Sequence, residues 1–548
     1  MTVAERAEKR ASRWSGPRGV VIIALGGALV AGMIGVRGEF PLSDDASFAY
    51  TTRTLCTTGS VQFLPWTAAS LVLQAAYGAA LCRMFGFSFA VLRASTVLLA
   101  VVGVVAFFSL LRRLDVAGPS CALVTALFAL NPLYVNLAFT FMTDVPFTVL
   151  VVGAAYGYVR GLNERRDSFL AWGSVAAAAA LLVRQQGILV AVAAALAAAT
   201  ARTRSAAEQR RAAAIAGLVP AATFLAFHVW IVSIGAVPIG YGSRLGQLRD
   251  LSVASVLNCG FRGLCYLGLF ALPLTAALAG AVERSHRRRV VGWCTALAVL
   301  ALALFMRERA LMFYLTNVLY DFGLGALTLR DTLFLGYDPP VRLGRSFAVP
   351  LTVVTIMATG LLAAAWTTRL RERAPGLSFL RFSALLFFAA TLLQSRYYLD
   401  RHVLIVVPFV LAATLAARPL RTVPRLATAL LIVTAWYSIA GTHDYLAWNR
   451  ARFAGLDTLL ADGVSPAMID GGVEFNAWYV APTLGTWPSD RDVRVGQPES
   501  VRSWWWVVDD RFIASFRPLT GYHVKLSVPF SRWLVPGTGH VLILERSE

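Results

Sequence analysis

The chain has 548 residues, 57% of them hydrophobic and only 15% charged, with a net charge of +20. That apolar share excludes an ordinary water-soluble protein, because a single core of this size cannot hide it and lipid must solvate the excess. The positive balance does not indicate nucleic acid: many arginines sit in short gaps between apolar runs, where the positive-inside rule places them on the cytoplasmic side.

In chain order, a basic start (Arg6, Lys9, Arg10, Arg13, Arg18) precedes the apolar run 20–36. The run is long for a signal peptide and lacks a clear A-x-A site, so it reads as an uncleaved first helix with a cytoplasmic N-terminus. Basic gaps follow at 112–113, 160–166, 202–211, 284–289, 369–373 and 418–425. All are cytoplasmic if two spans separate neighbouring gaps. That rule predicts an all-α polytopic membrane protein with about thirteen transmembrane helices. They are expected at 19–36, 90–111, 120–138, 145–160, 168–184, 187–201, 212–235, 263–282, 290–306, 346–368, 378–394, 402–417 and 425–441. A single helix over 168–201 would run ~50 Å, against a ~30 Å hydrocarbon core, so a hairpin turning at Arg184, Gln185 and Gln186 is preferred.

The odd count places the remainder outside. Strand-like stretches at 503–508, 522–528 and 540–544 and a helical stretch at 451–460 make it a small extracytoplasmic α/β domain. The expected division is therefore a transmembrane domain, 1–441, and a C-terminal domain, 442–548. Two outer loops are long. In the first, 37–89, the stretch 65–85 reads as a helix lying in the interface. In the second, 307–345, the run 311–329 would span but for Asp321 and two glycines. The six cysteines form no CxxC pair; Cys259 and Cys265 are the one candidate disulfide, against a simpler reading of six free buried thiols.

Acidic residues gather at the expected outer mouths of helices. Asp44 and Asp45 follow the first helix, Asp144 opens the fourth in Thr143-Asp144-Val145-Pro146, and Asp400 lies in the turn Arg396-Tyr397-Tyr398-Leu399-Asp400-Arg401-His402. Each has a plain structural reading. Thr143 or Asp144 can be an N-cap, Asp44 and Asp45 a solvated loop, and Arg396 and Arg401 interfacial anchors. Together they suggest chemistry. Arginine forks bind phosphate oxygens, and a carboxylate can take a proton from a hydroxyl. His228, among Phe224, Phe227 and Trp230, reads as a core histidine, and Trp504-Trp505-Trp506 as packing rather than a sugar platform.

The pattern Asp44-Asp45-x-x-Phe48-Ala49-x-x-x-Arg53 followed by Thr58-Gly59 resembles the first outer loop of GT-C membrane glycosyltransferases, above all protein O-mannosyltransferases and lipid A aminoarabinose transferases. Thr143-Asp144-Val145-Pro146 is similar to their second acidic motif, and Gly86 and Arg93 to the segment entering their second helix. The resemblance covers about residues 19–200 well, and the rest by topology. Asp45 departs from the usual Glu, Leu64-Pro65-Trp66 from a basic residue with two prolines, and Met142 from Glu. The resemblance implies an inverting transfer of a sugar from a polyprenyl-phosphate lipid donor to a hydroxyl acceptor (a glycolipid, cell-wall glycan or protein) on the outer face of the membrane. Asp44 and Asp144 are the expected catalytic residues. Asp45, Arg53, Arg184, Gln185, Arg396, Tyr397, Asp400 and Arg401 are the expected substrate-binding residues. No cofactor is implied with certainty. A divalent metal, held by the carboxylates with His402 or His443, is left open because no ligand-spacing motif is present. The alternative is a membrane transporter or lipid-linked sugar flippase, which would place its charges near the bilayer midplane.

Overall fold

The computed structural model describes residues 17–114, 116–235, 237–238, 251–280, 284–308, 317–320, 323–342, 345–367, 374–394, 398–420, 422–484 and 506–547. The fold is a polytopic helical bundle carrying a small sheet near its C-terminus. Among the described residues, ten helices are long and apolar enough to cross a membrane, and the bent pair Gly118–Ala129 and Pro132–Ala138 makes an eleventh. Two shorter apolar helices, Asp167–Leu181 and Gln185–Ala199, occupy the expected hairpin. Every expected helix has a helical counterpart, but those two are shorter than a straight crossing needs.

The local reasons are legible. The expected straight helix 120–138 bends by 53°. Pro132 cannot donate to the preceding turn, and the Asn131 side chain accepts from the N–H groups of Leu133 (3.0 Å) and Tyr134 (3.3 Å), so one helix ends and another starts. In the hairpin, Gly187 lies where a Cβ would come within 2.3 Å of the Leu181 backbone nitrogen, so only glycine closes the turn. The Asp144–Asn163 and Asp400–Ala417 spans are the most enclosed, with 78% and 83% of their apolar windows buried, whereas Pro17–Ile34 leaves all but 11% exposed, as a lipid-facing helix does.

The first long loop is folded. It holds Asp45–Thr58 and Val72–Phe85, the latter shorter than the expected helix 65–85. A Cys56–Cys82 disulfide joins the two helices, with the Cα atoms 6.1 Å apart. The candidate pair Cys259 and Cys265 is thereby corrected. Both are buried thiols outside any disulfide, on the single helix Val253–Phe270, and six residues along one helix separate them by ~9 Å, too far to bond. The loop's start is fixed by two arginines, Arg93 buried and Arg450 half-buried. Arg93 donates to the carbonyls of Val36 (2.8 Å), Gly38 (3.1 Å) and Phe40 (3.0 Å). Arg450 donates to those of Ile34 (3.2 Å), Gly35 (2.8 Å) and Arg37 (3.2 Å). The Ile34 carbonyl is one that the end of the first helix leaves unpaired, at the negative end of its dipole, and the others belong to the loop that follows.

In the second long loop, the described residues 317–320 and 323–329 form no spanning helix. Leu319–Tyr320 pairs antiparallel with Gly323–Leu324, and the short helix Arg330–Leu333 follows. Asp321 lies outside the described residues.

The last helix, Arg425–Ala461, has 37 residues. At 1.5 Å per residue it runs ~55 Å, well past a ~30 Å hydrocarbon core. The expected division at 441/442 thus falls inside a continuous helix. Beyond it lies a four-stranded sheet, in the order Ile469–Asp470, Phe512–Ser515, Gly537–Arg546, Tyr522–Arg532. The first pair is parallel and the others antiparallel, with Ile513 opposite Leu544. Gly455 of the long helix faces Ile543 and Val528 of the sheet, so the sheet lies on the helix. The expected strands 522–528 and 540–544 are present and longer, Phe512–Ser515 is an addition, and 506–508 is not a strand; 503–505 lie outside the described residues.

Arg93→Met should leave three loop carbonyls without donors. Unmet buried groups cost ~1–3 kcal/mol each, so a drop in thermal stability is expected in detergent-solubilised protein, and Arg93→Lys should recover only part because it lacks the fork.

Candidate active site

Four charged side chains from four separate segments meet at the end of the bundle that carries the sheet. Asp44 stands at the N-cap position of Asp45–Thr58, yet its carboxylate caps nothing. Its backbone carbonyl takes the Ser47 hydroxyl (2.9 Å), and its carboxylate accepts from Arg401 Nη2 at 2.6 Å. Asp144 opens Asp144–Asn163, and Thr143 makes no side-chain cap bond. The N-cap reading of this motif is therefore not what the side chains do. Arg184 Nη2 donates to Asp144 Oδ2 at 2.8 Å, while its Nε donates to Thr143 Oγ1 at 2.6 Å.

Arg184 lies in the hairpin turn before Gln185–Gly187, and Arg401 in the 3₁₀ segment Asp400–Val406. The two ion pairs are electrostatically one cluster. Burial lowers the Arg184 guanidinium from its ordinary value, Asp144 raises it, and the charges of Arg401 and Asp44 also reach it. Exposure divides the carboxylates. The Asp44 side chain is 50% exposed and that of Asp144 only 2%. Only Asp44 is open to an incoming group. Arg401 Nη1 also donates to Ser43 Oγ at 3.3 Å, and its buried Nε has no partner among the described residues.

Asp45 has a different place. It is buried and accepts from the N–H groups of Leu42 (2.6 Å) and Phe141 (3.1 Å), tying the first acidic motif to the segment just before the second. Gln74, which the sequence did not single out as a site residue, supports the same segment by donating to the Phe141 carbonyl at 2.8 Å. Burial pushes the Asp45 carboxyl up to about 7, against the pull of those two N–H groups.

The other expected binding residues divide as follows. Asp400 is buried and takes the backbone N–H groups of Val318 and Leu319, so it holds the second long loop. Gln185 donates to the Ala68 carbonyl at 3.3 Å, bracing the hairpin against the first loop. Arg53 is exposed, with its guanidinium 5.2 Å from the Trp478 ring centre. Arg396 and Tyr397 lie outside the described residues. Trp506 packs against Trp66 with ring centres 4.3 Å apart and planes tilted by 43°, a packing role; Trp504 and Trp505 lie outside the described residues. Among the described residues, no three His, Cys, Asp or Glu side chains converge as metal ligands. His443 bonds Asp444 (3.0 Å) and stacks on Trp533, and His402 accepts from the Leu399 N–H (3.3 Å), so both imidazoles are engaged elsewhere.

With this geometry described, comparison with known proteins adds the following. Residues 72–230 match the family model described as dolichyl-phosphate-mannose-protein mannosyltransferase. That segment contains Arg93, Asp144 and Arg184, and the likeness to GT-C membrane glycosyltransferases read from the acidic motifs holds there. Among solved structures, ArnT from Cupriavidus metallidurans bound to undecaprenyl phosphate is similar at 13% identity and a TM-score of 0.42, over 97% of this chain and 98% of that one. The apo state of the same protein aligns with a TM-score of 0.41 at 13% identity, over 96% and 97%. The archaeal oligosaccharyltransferase AglB from Archaeoglobus fulgidus, in complex with an inhibitory peptide and a dolichol-phosphate, aligns at 12% identity and a TM-score of 0.42, over 77% of this chain and 55% of that one. No curated protein sequence matches the chain.

Asp45 supplies a test of this geometry. Its folded pKa of about 7 lies above the ordinary aspartate value of 3.8, so the folded state holds a proton that the unfolded state has lost between those values. Stability at this site therefore falls as pH rises from about 4 to about 7. Asp45→Asn should flatten that slope, while losing one of the two N–H contacts at every pH. Thermal unfolding at pH 5 and pH 8 reads both effects; an unchanged slope would refute the assignment.

Proposed function

We propose that the protein is an inverting glycosyltransferase that moves a sugar from a polyprenyl-phosphate lipid donor to a hydroxyl acceptor on the outer face of the membrane. The observation that carries this reading is the paired cluster, Asp44 with Arg401 and Asp144 with Arg184. A cluster of two acids and two arginines at one end of an apolar bundle suits an anionic lipid headgroup and a proton acceptor together. The family match over 72–230 supports the same class. The outer location is supported by the Cys56–Cys82 disulfide in the same loop as Asp44, since disulfides persist in oxidising compartments. The odd number of spans, with the N-terminus inside and the sheet outside, is the topology this requires. Residues 1–441 would form the membrane-embedded catalytic unit and 442–548 an outer unit closing over it.

Asp44 is the base. It is the exposed carboxylate of the two, so an acceptor hydroxyl can reach it, lose its proton, and attack the anomeric carbon from the face opposite the phosphate. Arg401 and Arg184 hold the leaving phosphate, with Asp144 fixing Arg184 through the ion pair and Thr143. Arg401 links the two events. A donor phosphate competes with Asp44 for one guanidinium, so donor binding loosens the ion pair and leaves the carboxylate free to accept a proton as the acceptor arrives. Arg53, exposed on the same loop helix, is placed for the acceptor side.

Asp44→Asn keeps the size and much of the hydrogen bonding but cannot take the proton. A positioned base supplies ~10²–10⁴-fold in rate, so a kcat loss of that order is expected with donor KM little changed. Arg401→Ala and Arg184→Ala should raise donor KM more than the corresponding lysine variants. The assay is transfer from a panel of polyprenyl-monophosphate sugars in proteoliposomes, with the anomeric configuration of the product read by NMR. Near wild-type transfer by folded Asp44→Asn, or retention of configuration, would sink the mechanism. A reporter fused after Gly463 should read extracytoplasmic, and a cytoplasmic signal would remove the outer-face reaction altogether.

A further inference from the structure

We infer that Glu474, in the C-terminal region, is a positioning residue for Asp44, and that the transfer reaction therefore depends on residues beyond the membrane bundle; this rests on the function proposed above.

Ser43, immediately before Asp44, has φ +56, a left-handed conformation that serine adopts only when something holds it. Its N–H donates to Glu474 Oε1 at 3.1 Å, a contact that spans 431 residues of sequence. The other carboxylate oxygen is fully engaged. Glu474 Oε2 accepts from Arg452 Nη1 at 3.0 Å and from the Thr328 hydroxyl. Glu474 and Arg452 are both wholly buried, so neither charge is available to solvent or substrate. The glutamate is itself held in register. Gly472, at φ +94, opens its helix, and the Val473 N–H donates to the Thr328 carbonyl at 3.1 Å. A Cβ on Gly472 would meet Leu329 at 2.9 Å and Arg452 at 3.0 Å. Ala46, two residues past Asp44, packs with Ala477, Val480 and Trp506. The start of the Asp44 helix is thus clamped from the tail at its backbone and its first turn.

The chemistry explains why a carboxylate is needed. Two oxygens must both accept, one from Ser43 and one from Arg452. The isosteric Gln has one oxygen and one NH₂, so it satisfies either partner and opposes the other. If Ser43 relaxes out of the left-handed region, Asp44 turns with it and loses its alignment with Arg401.

Glu474→Gln should lower kcat about tenfold, the size of one charge-assisted hydrogen bond, with donor KM changing much less. Glu474→Asp keeps the charge beside Arg452 but is too short to reach both partners, and should behave alike if Glu474→Gln folds poorly. The decisive variant is Ser43→Gly in the Glu474→Gln background. Glycine adopts the left-handed conformation unaided, so it should restore much of the lost kcat, whereas a loss of general stability would not be restored. Hydrogen exchange of the segment 40–48 in the full-length protein provides a reading independent of turnover. It should quicken in Glu474→Gln. Wild-type kcat in both Glu474 variants, equal loss with and without Ser43→Gly, or unchanged exchange would each overturn the inference. An inactive wild-type protein would instead remove the proposed reaction, and the exchange measurement would still judge Glu474.

Discussion

The fold depends on one constraint: a charge at the rim of an apolar bundle persists only where a partner from another part of the chain holds it. Desolvating a guanidinium or a carboxylate is expensive, and the cost is offset only by close pairing with good geometry. Arg93 and Arg450 meet this constraint with carbonyls of the chain where it leaves the first helix. Arg184 and Arg401 meet it with carboxylates from two different loops. Each contact closes a long sequence separation, so satisfying the charges also sets the relative placement of the loops. The site is the place where these obligations converge, and its geometry is a consequence of them.

That constraint explains why the four central charges have unequal roles. Asp144 and Arg184 are both largely buried, and a buried pair gives up much of its freedom to interact with anything else. Asp44 keeps half its side chain exposed while sharing Arg401. The enclosed pair supplies rigidity and the open pair can exchange partners. Asp45 lies at the far limit: adjacent in sequence to Asp44, but turned inward onto the N–H groups of Leu42 and Phe141. Alternation along one short helical turn separates an exposed carboxylate from a bracing one.

Much of this was legible in the sequence. The apolar runs and basic gaps gave the helices, because lipid solvation and the positive-inside rule act on composition directly. The hairpin at Arg184 followed from length alone. The acidic motifs marked Asp44 and Asp144 as important, and their partners Arg184 and Arg401 were among the arginines singled out. What pairs with what was not legible. Nothing local distinguishes Arg401, bound to Asp44, from its neighbour Asp400, which is spent on the backbone of Val318 and Leu319. Sequence offers only Cys259 and Cys265 as a candidate pair, beside the simpler reading of six unpaired thiols, whereas loop helices bring Cys56 to Cys82. Glu474 carried no signal at all, an isolated acid in a polar tail whose meaning depends on a contact 431 residues away.

The long helix Arg425–Ala461 is why such contacts form. A flexible connection at 441/442 would let the tail sample many positions, and holding Ser43 would then carry an ordering cost each time the site assembled. A continuous helix removes that freedom. Its buried stretch carries Arg450 to the end of the first helix and Arg452, less than one turn later, to Glu474. Two arginines two residues apart point to different sides of one helix, about 200° around its axis at 3.6 residues per turn. One secures the loop where it leaves the membrane and the other secures it next to Asp44. The rigid element that ends the membrane bundle thus sets both ends of the short stretch, Ile34 to Ser43, that leads to the exposed carboxylate.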